Sequence, residues 1–328
     1  MREQAPCVYG ARMTITLRRG GRALAAELAP VLDVWVEAAP YVANLHSGDV
    51  GWHLRLADET IKEAFLMWED DGEPVAVGLA EDVVLRTGVA PHRDRDPMLA
   101  LALAETMAHG WAAADVSSTP CRRADSAGFG RADPPTRHGG FTYVDALSGT
   151  AARRVLLERG WSADPDPWVL LYKEFGPKDA ALPKGSADTR PIAGPDEVAA
   201  RVAVQRSAFE PGSTFTAERW QQMSTGPSYD GRFDMVTWTP YGQPAAAATG
   251  WFAGPGRCAI LEPVGTHQDH RRHGYGRTVN RAVMAALAAA GASGVRVHTP
   301  ASNTGALATY EACGFRGVEW TTAVMAPR

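Results

Sequence analysis

No stretch of this sequence is apolar for long enough to cross a bilayer: the longest weakly polar run, Ala282 to Ala292, is mostly alanine and falls well short of the roughly 20 residues a span needs. Cysteine is scarce as well. The four present, Cys7, Cys121, Cys258 and Cys313, form no C-x-x-C pair and have no histidine partner at zinc-finger spacing. That argues against a zinc module and leaves buried, reduced thiols as the expectation. Nor is there surplus positive charge. With 33 Lys and Arg against 37 Asp and Glu the net charge is −4, so no global field draws the chain to nucleic acid or to anionic lipid, and any bound anion must be held locally. Met1 to Met13 carries Arg2, Glu3 and Arg12 without an apolar core, which does not read as a secretory leader; the cytoplasm is the expected address.

What is present is a globular composition. Of 328 residues, 45% are hydrophobic and 21% charged, enough to bury a real interior, and the length suits two domains. Between Gly176 and Pro195 the stretch GPKDAALPKGSADTRPIAGP concentrates proline, glycine and small polar residues and sustains neither helical nor strand periodicity. The expected division is therefore a first domain over 1–178, a linker over 179–191 and a second domain over 192–328.

In the second domain, Ala199 to Phe209 has the spacing of a surface helix, with Asp196 and Glu197 ahead of it. Asp234–Thr239 and Ala245–Phe252 alternate as a hairpin, and Cys258–Thr266 is a third strand. A helix over Gly274 to Ala290 places Val279, Val283, Ala286, Leu287 and Ala290 on one face. Gly294–Thr299 is a strand, Gly305–Cys313 a short helix and Val318–Met325 a last strand. A faint repeat relates Phe141–Trp161 to Val295–Phe315 at an offset of 154 residues, as from Thr150 to Thr304. Strand-like Val75–Ala80 and Val83–Val89 and a helix over Asp96–His109 agree with duplication of one fold.

The chemistry concentrates in Leu261 to Thr278, LEPVGTHQDHRRHGYGRT, a strand that turns into a helix and contains R-x-x-G-x-G from Arg271 to Gly276. The first amides of a helix have no internal partner and sit at the positive end of its dipole, so a phosphate can satisfy them. Gly274 and Gly276 leave the backbone open, while Arg271, Arg272, Arg277 and Arg281 add positive charge: the segment reads as a cradle for a diphosphate. It is not a Walker loop, since no Lys-Ser or Lys-Thr follows, and it lies too late, behind a hairpin, for a dinucleotide fold.

With these marks the chain resembles the GNAT acetyltransferase superfamily, whose signature is [QR]-x-x-G-x-[GA] at a strand-to-helix junction. The resemblance implies an α/β (α+β) chain of two tandem GNAT folds, each a mixed, mostly antiparallel sheet splayed at the cofactor slot and flanked by helices. It implies acetyl-CoA, leaving as CoA, with its diphosphate on Arg271, Arg272, His273, Gly274, Tyr275, Gly276, Arg277 and Thr278 and its pantetheine arm beside Val264 and Thr266. The family's Asn and its Tyr before a Gly-aromatic pair match Asn303 and Tyr310, followed by Gly314-Phe315. In the first domain Val89 to Met98 has no glycine and carries Asp94 and Asp96, while Gly149 and Leu156 stand at the Asn303 and Tyr310 positions, so a single cofactor site in the second domain is expected. The tandem arrangement resembles mycothiol synthase and related actinobacterial acetyltransferases, in architecture alone.

Aminolysis of a thioester needs a neutral amine, a polarised carbonyl and a proton for the departing thiolate. Glu262 is the candidate base, placed by strand alternation on the face of Ile260, Val264 and Thr266; a charge-paired surface glutamate is the other reading. Tyr310 is the candidate acid toward the CoA sulfur, and a backbone N–H near Val264 would polarise the thioester. His298 is an alternative base or a core histidine. His267, His270 and His273 lie beside arginines that would repel a cation, so no metal is expected there. Cys313 has no activating histidine at readable spacing, which favours direct transfer in a ternary complex over an acyl-enzyme. His46, Asp49 and Trp52, in LHSGDVGW, either line an acceptor site or cap a helix. The expected function is acetyl transfer to an amine of a small molecule, by a monomer or homodimer, with no nucleic-acid or membrane partner. The alternatives are a longer-chain acyl or aminoacyl transferase and a non-catalytic acyl-CoA-binding regulator.

Overall fold

The computed structural model describes residues 15–38, 44–109, 141–147, 150–181 and 188–327. Met1–Met13, with Cys7, and Cys121, Gly149 and the middle of the linker, 182–187, lie outside the described residues. The first half runs β1 (Ile15–Gly20), α1 (Arg22–Ala38), α2 (Ser47–His53), α3 (Asp58–Ile61), β2 (Phe65–Asp70), β3 (Glu73–Glu81), β4 (Val84–Val89), α4 (Pro97–His109), β5 (Tyr143–Leu147), α5 (Ala151–Glu158), β6 (Ser162–Ala163) and β7 (Trp168–Glu174). The second runs β8 (Thr189–Pro191), α6 (Pro195–Ala208), α7 (Ala217–Ser224), β9 (Asp234–Trp238), β10 (Pro244–Trp251), β11 (Cys258–Thr266), α8 (Tyr275–Ala289), β12 (Gly294–Pro300), α9 (Thr304–Glu311) and β13 (Arg316–Met325).

Alternation and helical periodicity account for the elements around the site. Along β10 the small residues Ala246 and Ala248 face one core with α8, and Ala247 faces another with Val204 of α6, so a helix can approach each side of the strand. On α8 the predicted stripe is buried through Val279, Val283 and Leu287, each contributing about 1.5–3 kcal/mol of transfer free energy. Helices α6 and α7 are tied to the hairpin by a buried carboxylate. Asp234 accepts from Arg201 Nε at 3.0 Å and from Thr249 Oγ1 at 2.9 Å on one oxygen, and from Tyr229 Oη at 3.0 Å and Trp220 Nε1 at 3.1 Å on the other.

The strands form one continuous sheet of thirteen, ordered β1-β2-β3-β4-β5-β13-β7-β12-β11-β10-β9-β8, with β6 paired to β13. Neighbours are antiparallel except at two equivalent places, β4 with β5 and β11 with β12, where parallel pairing lasts three residues on each strand. This is the duplicated, mixed and mostly antiparallel architecture read from the sequence. The pattern of residues did not show that the halves exchange their last strands. β7 of the first half pairs with β12 along its whole length, from Glu174 opposite Gly294 to Trp168 opposite Pro300, and β13 of the second half pairs with β5. The halves are thus knit by backbone ladders as well as by side chains.

Candidate active site

Past Ile260 and Arg296 the parallel strands β11 and β12 part, and the gap opens into a cavity of about 1300 Å³. The register of β11 against β10 slips between Val264, opposite Ala248, and Leu261, opposite Gly250, which leaves Glu262 and Pro263 in a bulge. The indole Nε1 of Trp251 donates to the Glu262 carbonyl at 2.5 Å. The bulge corrects one reading of the strand. Glu262 shares a face with Ile260, whose side chain packs with Trp52 and Trp251, whereas Val264 has turned to the opposite core, beside α8. One extra residue inverts the alternation.

At the far end of the cavity lies the turn into α8. Gly274 is the N-cap, in the left-handed conformation with φ +86°, and no side chain caps the helix. A β-carbon on Gly276 would lie 2.8 Å from Thr266 Oγ1, so the second glycine of the motif serves the close approach of helix and strand. Arg271, Arg272 and Arg277 line the cavity with His273, Gly274 and Tyr275. Arg281 does not; its Nη2 donates to the Ala312 carbonyl at 3.0 Å. Thr278 also lies outside the lining and bonds the Gly274 carbonyl within the helix. Of the three histidines, His267 accepts from the Asp269 amide, His270 stands edge-on to Tyr275, and the His273 Nδ1–H donates to the Arg271 carbonyl at 2.8 Å. An uncapped helix start flanked by three guanidinium groups fits a diphosphate.

The corresponding helix start in the first half is filled. At the start of α4 the Asp96 carboxylate accepts from the Met98 and Leu99 amides at 2.8 and 3.1 Å, taking up the donors an anion would use. Where β4 and β5 part, Asn44 Nδ2 and Thr87 Oγ1 both donate to the Asp145 carbonyl, at 3.3 and 3.1 Å, and Asn44 and Asp145 also line the cavity.

Glu262, His298 and Tyr310 all line the cavity of the second half, with Asn303, Val264 and Thr266. Burial, followed by the charge of Asp49, holds the Glu262 carboxyl well above its ordinary range. Burial, then the thiol of Cys313 and the charge of Glu262, push the Tyr310 phenol upward, so it keeps its proton at neutral pH. Burial and the Arg296 guanidinium push His298 down to about 3, and its buried Nε2 has no hydrogen-bond partner among the described residues. Asn303 is the N-cap of α9, its Oδ1 accepting from the Ala306 amide at 3.2 Å. Cys258 and Cys313 are free and buried, and burial raises both thiols, Cys258 to about 12.

The wall opposite α8 belongs to the first half. His46 and Asp49 form a capping box at the start of α2, so the capping reading of LHSGDVGW holds; of the three residues only Trp52 lines the cavity. A β-carbon would lie 2.5 Å from Trp251 at Gly48 and 2.3 Å at Gly51; only glycine lets α2 lie this close to the second half. The His46 Nε2–H donates to the Cys258 carbonyl at 2.8 Å, pinning α2 to the start of β11. Glu81, Arg86, Asp166 and Trp168 complete this wall, none of them visible as site residues in the sequence. Glu81 Oε1 accepts from His53 Nδ1 at 3.0 Å, and Asp166 accepts from Ser302 Oγ at 3.0 Å.

Compared with known protein families, residues 203–315 match the model described as the acetyltransferase (GNAT) family. No curated protein matches. Solved structures similar to the chain include an acetyltransferase from the GNAT family of Colwellia psychrerythraea, 13% identical over 95% of this chain and 100% of the other with a TM-score of 0.56. A GCN5-related N-acetyltransferase from Sphaerobacter thermophilus is 18% identical over 94% of both chains, with a TM-score of 0.53. A tandem GNAT protein from the clavulanic acid biosynthesis pathway is 15% identical over 95% of this chain and 98% of the other, with a TM-score of 0.52. At these identities the likeness is one of fold, and it extends over both halves. No helix among the described residues is long and apolar enough to cross a membrane.

Proposed function

We propose, from the premise that residues 203–315 belong to the acetyltransferase (GNAT) family, that this acyltransferase moves the acetyl group of acetyl-CoA directly to an amine of a small molecule. The observation that carries the reading is one continuous cavity that joins the cationic turn before α8 to Glu262, His298 and Tyr310. Arg271, Arg272 and Arg277 and the first amides of α8 would hold the diphosphate, with the edge of β11 from Val264 to Thr266 beside the pantetheine. When bound, acetyl-CoA supplies an acetyl group activated as a thioester.

The remaining steps belong to the chain. An alkylamine with a pKa near that of lysine, about 10.4, arrives as an ammonium ion. Glu262 takes its proton, directly or through water, and its raised affinity for protons suits the task. A backbone N–H near Val264 polarises the thioester carbonyl, and the Tyr310 phenol, held in its protonated form by burial, donates to the leaving sulfur. The filled helix start in the first half supports a single cofactor site, with the first half shaping the acceptor end.

Incubation with acetyl-CoA and a panel of primary amines, followed by release of free thiol, tests the reading. Turnover with at least one amine is expected, together with a loss of about 10²-fold in kcat for Tyr310→Phe at little change in KM for acetyl-CoA. No turnover with any amine, or an unchanged rate in Tyr310→Phe, contradicts it.

A further inference from the structure

We propose that Asp49, carried on α2 of the first half, is a positioning residue that shares one proton with Glu262 and so keeps the base of the second half in reserve until the pair gives that proton up. The proposal rests on Glu262 being the base. Asp49 is fully buried and held by three partners. One oxygen accepts the His46 amide at 2.6 Å, the other accepts Arg86 Nη2, and the side chain is hydrogen-bonded to Glu262. Two ionised carboxylates repel and have no hydrogen to place between them, so a carboxyl-to-carboxylate contact requires one proton for the pair.

The surroundings decide which partner carries it. Facing the pair are Arg86 on β4, Glu81 on β3, Arg296 and His298 on β12, His46 at the start of α2 and Tyr310 on α9. Burial and Arg296 hold His46 and His298 neutral, both down to about 3, so neither balances a carboxylate. Arg86 bonds Asp49 directly. Burial is the largest influence and works against the Asp49 charge, but Arg86, the hydrogen bond from Glu262 and the charge of Arg296 together outweigh it and hold this carboxyl below its ordinary range, while burial and the Asp49 charge raise Glu262. The charge therefore sits on Asp49 and the proton on Glu262. The two pins on α2, His46 on the Cys258 carbonyl and the glycine face against Trp251, keep Asp49 against the bulge of β11. The base of one half is thus set by a carboxylate of the other, a task that the exchange of strands alone would not require of α2.

Infrared difference titration of the full chain reads the protonated carboxyl directly. The wild type is expected to show a protonated-carboxyl band that titrates well above the ordinary carboxylate range and that Glu262→Gln removes. Its midpoint is expected to fall by about one pH unit or more in Asp49→Asn, which keeps an acceptor for the His46 amide, and to rise in Arg86→Gln. These opposite shifts are not what a merely structural role would give, and Arg86→Gln carries the test if Asp49→Asn fails to fold. A wild type in which no band titrates above the ordinary carboxylate range, a band that Glu262→Gln leaves undiminished, or a midpoint unmoved in folded Asp49→Asn overturns proton sharing. The pH profile of thiol release separates this from the base assignment: if Glu262→Gln keeps the acidic limb of the wild type while the infrared shifts appear, the base reading falls and the shared proton stands.

Discussion

Glu262→Gln is expected to lower acetyl transfer by about 10²- to 10⁴-fold, the usual contribution of a positioned general base, and to remove the acidic limb of the pH profile. In the wild type the rate should climb as pH rises through the Glu262 pKa, which burial and Asp49 hold well above 4.5, because only the ionised carboxylate accepts the amine's proton. The stability of the fold should move the other way. Between pH 4.5 and the raised folded value, the folded chain keeps a proton that the unfolded chain has released, so this group's contribution to stability declines as pH climbs through that window. Glu262→Gln cannot show this slope. Thermal melts from pH 5 to 9 should find the variant gaining on the wild type toward the alkaline end while activity is lost. A variant that is both less active and less stable at every pH would mean that Glu262 is structural.

Asp234→Ala should destabilise the protein by about 3–5 kcal/mol, the largest single effect on stability that the structure predicts. Arg201 and Asp234 are almost wholly buried, with side-chain exposures of 1% and 0%, and the carboxylate also satisfies Thr249, Trp220 and Tyr229. Removing it leaves a guanidinium in the interior with no counter-charge and strips three further donors of their acceptor. Pairing Asp234→Leu with Arg201→Met removes both charges together and should cost much less than the sum of the single changes. Denaturant melts of the four proteins complete the cycle. Additive losses would mean that the two groups do not depend on each other.

That the cationic turn before α8, Glu262, Asn303 and Tyr310 would share one cavity was legible in the sequence because each belongs to a local unit, strand-turn-helix or short helix, whose residue order is read directly. Asp49, Arg86 and Glu81 meet Glu262 only through the packing of one half on the other, and no periodicity encodes a contact such as that of His46 with Cys258, 212 residues apart. His46 and Asp49 did carry a signal, as part of the polar-aromatic cluster LHSGDVGW: the two residues cap α2, and Trp52 of the same short helix reaches the cavity. The exchange of β7 and β13 escaped for a similar reason. An alternating strand declares which face it buries and not which sheet it joins. α1 went unread because Pro30 lies inside it, where proline ordinarily breaks a helix. The face of Val264 was misread because a bulge of one residue inverts every side chain beyond it.

Titration calorimetry with coenzyme A bears most directly on the central claim, that the open start of α8 is the diphosphate site and the start of α4 is not. One mole of coenzyme A should bind per mole of chain, and the paired change Arg271→Ala with Arg272→Ala should weaken it by about tenfold to a hundredfold, as loss of charge-assisted hydrogen bonds implies. An absence of binding, a second site of similar affinity, or affinity unchanged by the loss of both arginines would contradict the account.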